Sequence, residues 1–395
     1  MPISSIVEGY LERASWIRKM FEEGIRMKQE FGADRVFDFT LGNPIVEPPE
    51  AFQEALRQAA LHPMPGGHRY MQNAGYPEVR EKMAGYVRRE MGIPLSLEDV
   101  IMTCGSGAAL NISLKSLLEP GDEVVVVAPF FPEYTFYIEN HAGIQRVAES
   151  TEDFDLDLGS LEEVIGGRTK AVILNAPNNP TGRMYSQTRL QELGELLKRK
   201  EKVTGHPITL LSDEPYRRLV FDGLAPANAF QAHPNTILAY SFSKDFGLAG
   251  ERIGFAAISP YHQDRDKLRA AMTFVNRTLG YINAPALFQR TVAEVLDAPV
   301  EVEVYRKLRD MFYEGLLAAG LRCFRPQGTF YIFPAAPTRD DLAFIRRLAK
   351  ERILAVPGTG FGRSGYIRFS LCVSPREIEG ALPGLRRVVD EYRVG

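Results

Sequence analysis

Three cysteines in 395 residues, Cys104, Cys323 and Cys372, lie far apart and are odd in number. That pattern excludes a disulfide frame and a zinc site, and predicts reduced thiols in or near the core of a cytoplasmic protein. Histidine is also sparse, with six residues and no ligand spacing. The closest pair, His62 and His68, flanks a turn rich in Pro and Gly, which puts both at the surface. Charge of one sign is missing: 47 Lys and Arg stand against 50 Asp and Glu, interspersed, for a net charge of -3. A nucleic-acid surface would need a clustered basic excess. No apolar run approaches the ~20 residues of a membrane span. The first fifteen residues lack the apolar block of a secretory signal. No repeat, low-complexity tract or long flexible linker interrupts the chain.

What remains is a composition of 45% hydrophobic and 25% charged residues, which suits a globular protein with a sizeable core. The length fits two or three domains, or one large α/β domain with an appendage. Residues 5–31 carry Tyr10, Leu11, Trp16, Ile17, Met20, Phe21 and Ile25 among charges, and the spacing predicts an amphipathic helix. Leu41-Gly42-Asn43-Pro44 breaks it, Pro48-Pro49 starts another helical stretch, and residues 63–75 read as a loop holding His68-Arg69-Tyr70. From Ile101 onward, short apolar runs alternate with helical stripes. Val124 to Val127, Ala171 to Leu174, Ile208 to Leu211, Thr236 to Ala239 and Ile253 to Ala256 are the runs. Leu110, Leu114, Leu117 and Leu118 stripe one helix and Leu190, Leu193 and Leu197 another. The alternation predicts a mostly parallel sheet covered on both faces. Beyond Gln289 come a long charged helix through Val302, Tyr305, Leu308 and Met311, then Gly328 to Phe333, a helix from Asp341, and a strand near Ile367 to Phe369. That mixture suits a smaller α+β domain.

Ligands of open parallel sheets sit beyond the carboxyl ends of the strands. Four polar constellations follow apolar runs at such places. Gly105-Ser106-Gly107-Ala108-Ala109-Leu110 opens a helix whose backbone N–H groups can cradle a phosphate. No Gly-Lys-Ser/Thr follows, and Leu110 occupies the third glycine of a dinucleotide fingerprint, so both of those loops are excluded. Asn175-Ala176-Pro177-Asn178-Asn179-Pro180-Thr181-Gly182 could be only a turn. Asp213, in Ser212-Asp213-Glu214-Pro215-Tyr216, could be only a helix cap. Lys244, in Ser241-Phe242-Ser243-Lys244 with Gly247 and Arg252 following, could be only a solvated charge.

Together the four fit one cofactor. Pyridoxal phosphate (PLP) needs a lysine for a Schiff base, a carboxylate for its pyridine nitrogen, and donors for its phosphate and phenolic oxygens. Asp213, Tyr216, Lys244 and Arg252 supply those types in order. On these motifs the chain resembles the fold-type I PLP enzymes, specifically the aspartate-aminotransferase-like class I and II aminotransferases, from about Leu41 to Ser370. The resemblance implies that Lys244 bonds the cofactor and later moves the proton between Cα and C4′. It implies that Asp213 pairs with the pyridine nitrogen, and that Asn179 and Tyr216 bind the phenolic oxygen. Phe131 matches the stacking ring. Gly105, Ser106, Gly107, Ser241, Ser243 and Arg252 match the phosphate cup. Arg368 matches the arginine that grips the substrate α-carboxylate bidentately, with Gly42 and Asn179 nearby. Tyr70 resembles a tyrosine that reaches the phosphate of a second subunit, which implies a homodimer with shared sites.

The implied fold is α/β. A three-layer large domain over residues 48–289 is built on a mostly parallel, seven-stranded sheet, and a small α+β domain comes from residues 1–47 and 290–395. The cleft between them is the expected site, closed by movement of the part that carries Arg368. Two departures bear on substrate choice. Phe131 stands where the dicarboxylate-specific branch has tryptophan. The second arginine of that branch has only Arg277 as a candidate, one residue out of register, and a surface arginine is the plainer reading. The expected activity is transfer of an amino group from an L-amino acid (aspartate, aromatic or aliphatic) to a 2-oxo acid such as 2-oxoglutarate. A carbon–sulfur β-lyase on the same scaffold is the alternative, since it needs the same Lys244, Asp213 and Arg368. A remote third reading is a non-enzymatic ligand sensor. It lacks support because only about forty residues precede Gly42, with no helix-turn-helix pair and no basic surplus.

Overall fold

Four consecutive valines, Val124 to Val127, can all be buried only where both faces of a sheet are covered. The computed structural model, which describes residues 3–12 and 16–394, builds that arrangement. After a short strand β1 (Phe37–Asp38), seven strands join in one sheet: β2 (Val100–Thr103), β3 (Glu123–Ala128), β4 (Ile144–Glu149), β5 (Thr169–Asn175), β6 (Thr209–Asp213), β7 (Thr236–Ser241) and β8 (Gly254–Ile258). Their order is β2-β8-β7-β6-β5-β3-β4. The pairs among β7, β6, β5, β3 and β4 are parallel, and β8 runs antiparallel to both β2 and β7. Val124 and Val126 point into a core with Leu110, Leu114, Leu268 and Met272 on one face. Val125 and Val127 join Leu190, Leu193 and Leu197 on the other. The fold is therefore α/β in three layers.

Strands β2 and β4 add to the pattern read from the sequence. β4 is an edge strand that leaves Ile144 and Val147 exposed, so it has no continuous apolar run to announce it. The single helix expected over residues 5–31 is instead two, Ser5–Glu12 and Trp16–Phe31. Residues 13–15, and the side chains of Ile17 and Phe21, lie outside what is described.

The chain ends gather around a separate core. Helix Val302–Ala318 is followed by β9 (Tyr331–Ile332), helix Asp341–Lys350, β10 (Ile353–Leu354), β11 (Val356–Pro357), β12 (Ile367–Ser370) and helix Pro375–Val394. β11, β12 and β9 form an antiparallel sheet, and β1 pairs with β10 in parallel. Phe39, Phe312, Phe330, Phe344, Phe369 and Leu385 fill that core. Helix Ala286–Ala293 packs differently: Val292, Val295 and Leu296 share a core with Phe52, Val79 and Met83.

The strand directions have one consequence for chemistry. β2, β3, β5, β6 and β7 all end, and β8 begins, at the same edge of the large sheet. Ser106, Phe131, Asn175, Asp213, Ser241, Lys244 and Arg252 follow or close those ends in sequence.

Candidate active site

A cavity of about 670 Å³ opens at that edge. Ser106, Gly107, Phe131, Asn179, Asp213, Tyr216, Ser241, Ser243, Lys244 and Arg252 line it from the large sheet, and Gly42 and Arg368 from the chain-end side. Twelve of the residues singled out in the sequence thus meet in one place. Gly105 sits directly behind, as the N-cap of helix Ser106–Leu117. Tyr70 and Arg277 do not line the cavity. Tyr70 is 89% exposed, and Arg277 lies on the outside of helix Arg265–Thr278 with its guanidinium 5.3 Å from the Phe274 ring.

Asp213 closes β6 and is 5% exposed. Its Oδ2 accepts a 2.5 Å hydrogen bond from the Tyr134 hydroxyl, while Oδ1 is buried with no hydrogen-bond partner in the protein. Burial pushes this carboxyl up to about 7, against the opposing pull of the Tyr134 hydrogen bond and of the Ser106 side chain nearby. An acceptor of this kind is stabilised most by a cationic N–H brought against it. The carboxylate is held from behind: Asn175 donates through Nδ2 to the Asp213 carbonyl at 2.8 Å, and its Oδ1 accepts from the Asn179 amide at 2.7 Å. Tyr134 and Asn175 escaped the sequence reading of the site. Asn175 opens the motif that runs to Gly182, but Tyr134 has no local signal, since only the fold carries it to Asp213.

Lys244 follows β7, and its ammonium donates to the Gly42 carbonyl at 3.0 Å. Burial pushes its amine down to about 8; the nearby thiol of Cys372 acts the other way, and the charges of Arg252 and Arg368 add to the lowering. An amine in that range reaches its neutral, nucleophilic form near physiological pH. The Tyr216 hydroxyl lies 3.4 Å from that of Tyr331, a second buried tyrosine of the cavity wall.

One end of the cavity has the features of an anion cradle. Helix Ser106–Leu117 begins there, and the first N–H groups of a helix have no partner within it. Gly105 has φ +82°, and a Cβ at that position would come within 3.0 Å of Arg252 Nη2. The Ser241 and Ser243 hydroxyls are 2.8 Å apart. Arg252, itself at φ +54°, donates to the carbonyls of Cys104 and Ala249 and reaches Ser243 Oγ at 3.5 Å. A left-handed conformation in a residue other than glycine is strain that clusters at ligand sites.

At the other end Arg368 is 1% exposed on β12. It donates to Asn179 Oδ1 at 3.3 Å and to the Thr40 carbonyl, and its guanidinium lies 4.4 Å from the Tyr331 ring centre. Its Nε has no partner. Burial lowers the pKa of the group. Gly42 is required by close approach, because a Cβ there would overlap the Tyr331 hydroxyl. A lone buried guanidinium beside an apolar wall suits a ligand carboxylate. Among the described residues no group of three or more His, Cys, Asp or Glu could hold a metal ion.

Residues 34–385 match the family model for aminotransferase class I and II. The aspartate/prephenate aminotransferase of Thermus thermophilus is 33% identical over 362 residues, covering 89% of this chain and 90% of its own. A solved amino transferase from Eubacterium rectale superimposes with a TM-score of 0.96 at 33% identity and covers 99% of both chains. The Thermus thermophilus aspartate aminotransferase solved with maleate gives a TM-score of 0.85 at 29% identity, covering 95% of this chain and 96% of that one. None of these names is that of a lyase. With its strand-end lysine and aspartate and its buried arginine, the chain belongs to the class I and II aminotransferases, a PLP-dependent family, and is an aminotransferase.

Proposed function

We propose that the cavity holds PLP between the cradle at Ser106 and the carboxylate of Asp213. The observation that carries this is the orphaned Oδ1 of Asp213, a buried acceptor on the same cavity as Lys244 and the Ser106 helix start. When bound, PLP supplies an electron sink for the charge left at Cα when a proton is removed. The protein's residues do the rest. Lys244 would bond the cofactor at rest, and its released amine would carry the proton between Cα and C4′. Asp213 holds the ring nitrogen in its cationic form. Asn179 and Tyr216 bind the ring oxygen, Phe131 covers the ring face, and Gly107, Ser241, Ser243 and Arg252 complete the phosphate cup with Ser106 and Gly105. Arg368 binds the α-carboxylate, with Gly42 and Asn179 beside it, and so orients the Cα–H bond toward Lys244.

The donor range follows from what lines the cavity. Among the described residues the cavity has no cation beyond Lys244, Arg252 and Arg368 to meet a substrate side chain, so aspartate, aromatic and aliphatic amino acids all fit, with 2-oxoglutarate as one acceptor. Relatives named for aspartate and for aspartate/prephenate support a range that includes dicarboxylates. The large domain of residues 48–289 runs on to about 298, given where Val292 and Leu296 pack, and the chain ends make the small one. The exposed Tyr70 supports a homodimer in which each subunit completes its partner's cup. Three free, part-buried cysteines support a reducing, cytoplasmic setting.

The test is a panel of amino acids added to the purified holoenzyme, followed by the loss of the cofactor's absorbance. A 2-oxo acid formed in equal amount, with no ammonia, is the expected result. Stoichiometric ammonia release would turn the assignment to the lyase.

A further inference from the structure

Each described cation of the cavity donates to the protein. Lys244 donates to the Gly42 carbonyl, Arg252 to Ala249 and Cys104, and Arg368 to Asn179 and Thr40. Three carboxylates line the cavity as well. Asp213 is the floor, Glu22 comes from helix Trp16–Phe31, and Glu133 opens helix Glu133–Glu139 two residues after Phe131. Tyr137, one turn beyond Glu133, lines the same wall, and Ile25, Leu41 and Phe131 make the remainder apolar. Among the described residues no side chain or backbone group hydrogen-bonds or ion-pairs with the Glu133 carboxylate. Partial burial among these neighbours raises its pKa.

We propose that Glu133 reads the substrate side chain. Its carboxylate accepts from side chains that carry an O–H or N–H and opposes a second carboxylate. Neutral, donor-bearing amino acids are therefore preferred over aspartate and glutamate, which remain weaker substrates. An unpaired acceptor on an apolar wall discriminates in this way because a wrong partner leaves it desolvated beside a like charge. The inference rests on the aminotransferase reading, with Arg368 fixing the α-carboxylate.

The test uses holoenzyme carrying Glu133→Gln, which keeps the shape and removes the charge. Two ratios are measured against the parent. The first is half-reaction efficiency with aspartate over that with leucine. The second is calorimetric affinity for glutarate over that for hexanoate, neither of which reacts. Both ratios are expected to rise about tenfold, which is about 1.4 kcal/mol. Glu133→Ala removes the acceptor as well, so it should raise the same two ratios and also lower the efficiency with tyrosine relative to leucine. If either ratio stays at the parental value in Glu133→Gln, or falls, the role of Glu133 is wrong. A parent enzyme that reacts with no amino acid would instead sink the aminotransferase reading, so the two failures are distinguishable.

Discussion

On the sheet side of the cavity, Asn175, Asp213 and Ser241 each end a strand, and the ladder register of β5, β6 and β7 sets their spacing. Hydrogen bonds then lock them to one another, as between Asn175 and the Asp213 carbonyl. The opposite side has no such ruler. Arg368 and the Thr40 carbonyl meet across 328 positions of sequence, and Gly42 fits only because it has no Cβ to strike Tyr331. The sheet side is thus a rigid template for a cofactor, and the chain-end side is an assembled wall suited to a substrate. Changes to the template are expected to remove chemistry at preserved geometry. Changes to the wall are expected to act on every substrate that the wall binds.

The largest effect expected is at Lys244. Lys244→Ala should slow the half-reaction by about a thousandfold or more, because the covalent link and the proton carrier are lost together. Stopped-flow absorbance measures it, and a cofactor-bound lysine still trapped by borohydride in this variant would move the role elsewhere. Asp213→Asn tests the template more finely. Turnover should fall by roughly a hundredfold or more, the scale of losing one preorganised charge-stabilising group, while cofactor affinity changes far less.

On the wall, Arg368→Lys keeps the charge and loses the planar fork. Hydrogen bonds to charged groups are worth roughly 1.5–3 kcal/mol, so a loss of about ten- to several-hundred-fold in kcat/KM is expected, similar for all donors. A loss confined to some donors would mean that Arg368 binds side chains instead. Mixing Tyr70→Ala with Lys244→Ala asks whether the template is complete within one chain. Random exchange makes half the dimers mixed with one intact site each, so about a quarter of parental activity should return. No recovery, or an active monomer by sedimentation, breaks the shared-site reading.

A smaller, pH-dependent effect concerns the cofactor-free protein. The folded value of about 7 for Asp213 lies above the ordinary value of about 3.9, so the folded state holds a proton that the unfolded state releases. That stabilisation is full at acid pH, below the ordinary value, and is lost as pH rises through about 7. Asp213→Asn escapes the loss. Its Tm relative to the parent should therefore rise from about pH 5 to about pH 8, and a flat difference would show an ordinary carboxylate. Smallest of all, Arg277→Ala should alter efficiency with aspartate by less than about twofold, as befits a surface charge. A selective loss with aspartate and glutamate would bring Arg277 into the wall and end the broad-specificity reading.

The apolar runs made β3, β5, β6, β7 and β8 legible, because a strand buried on both faces must be apolar throughout. The same logic hid β4, whose edge position leaves most of its side chains in water. Motif residues were legible when they followed a run directly, as Asp213 and Lys244 do. Tyr134 was not, since its hydroxyl reaches Asp213 across 79 positions without any local pattern. Glu133 was silent too: a glutamate beside a proline has nothing in its spacing to mark a cavity wall.

By itself the sequence determined the alternation of the fully buried strands with helices, the polar residues at the strand ends, and the family's set of chemical groups. Each of these is set by local alternation or by short motifs. The tertiary structure decided which of those groups share one cavity, that Asp213 keeps an unpaired oxygen, and that Arg368 meets Asn179 and Thr40. Burial and long-range contact produce those features, and both depend on the whole chain being folded around the site.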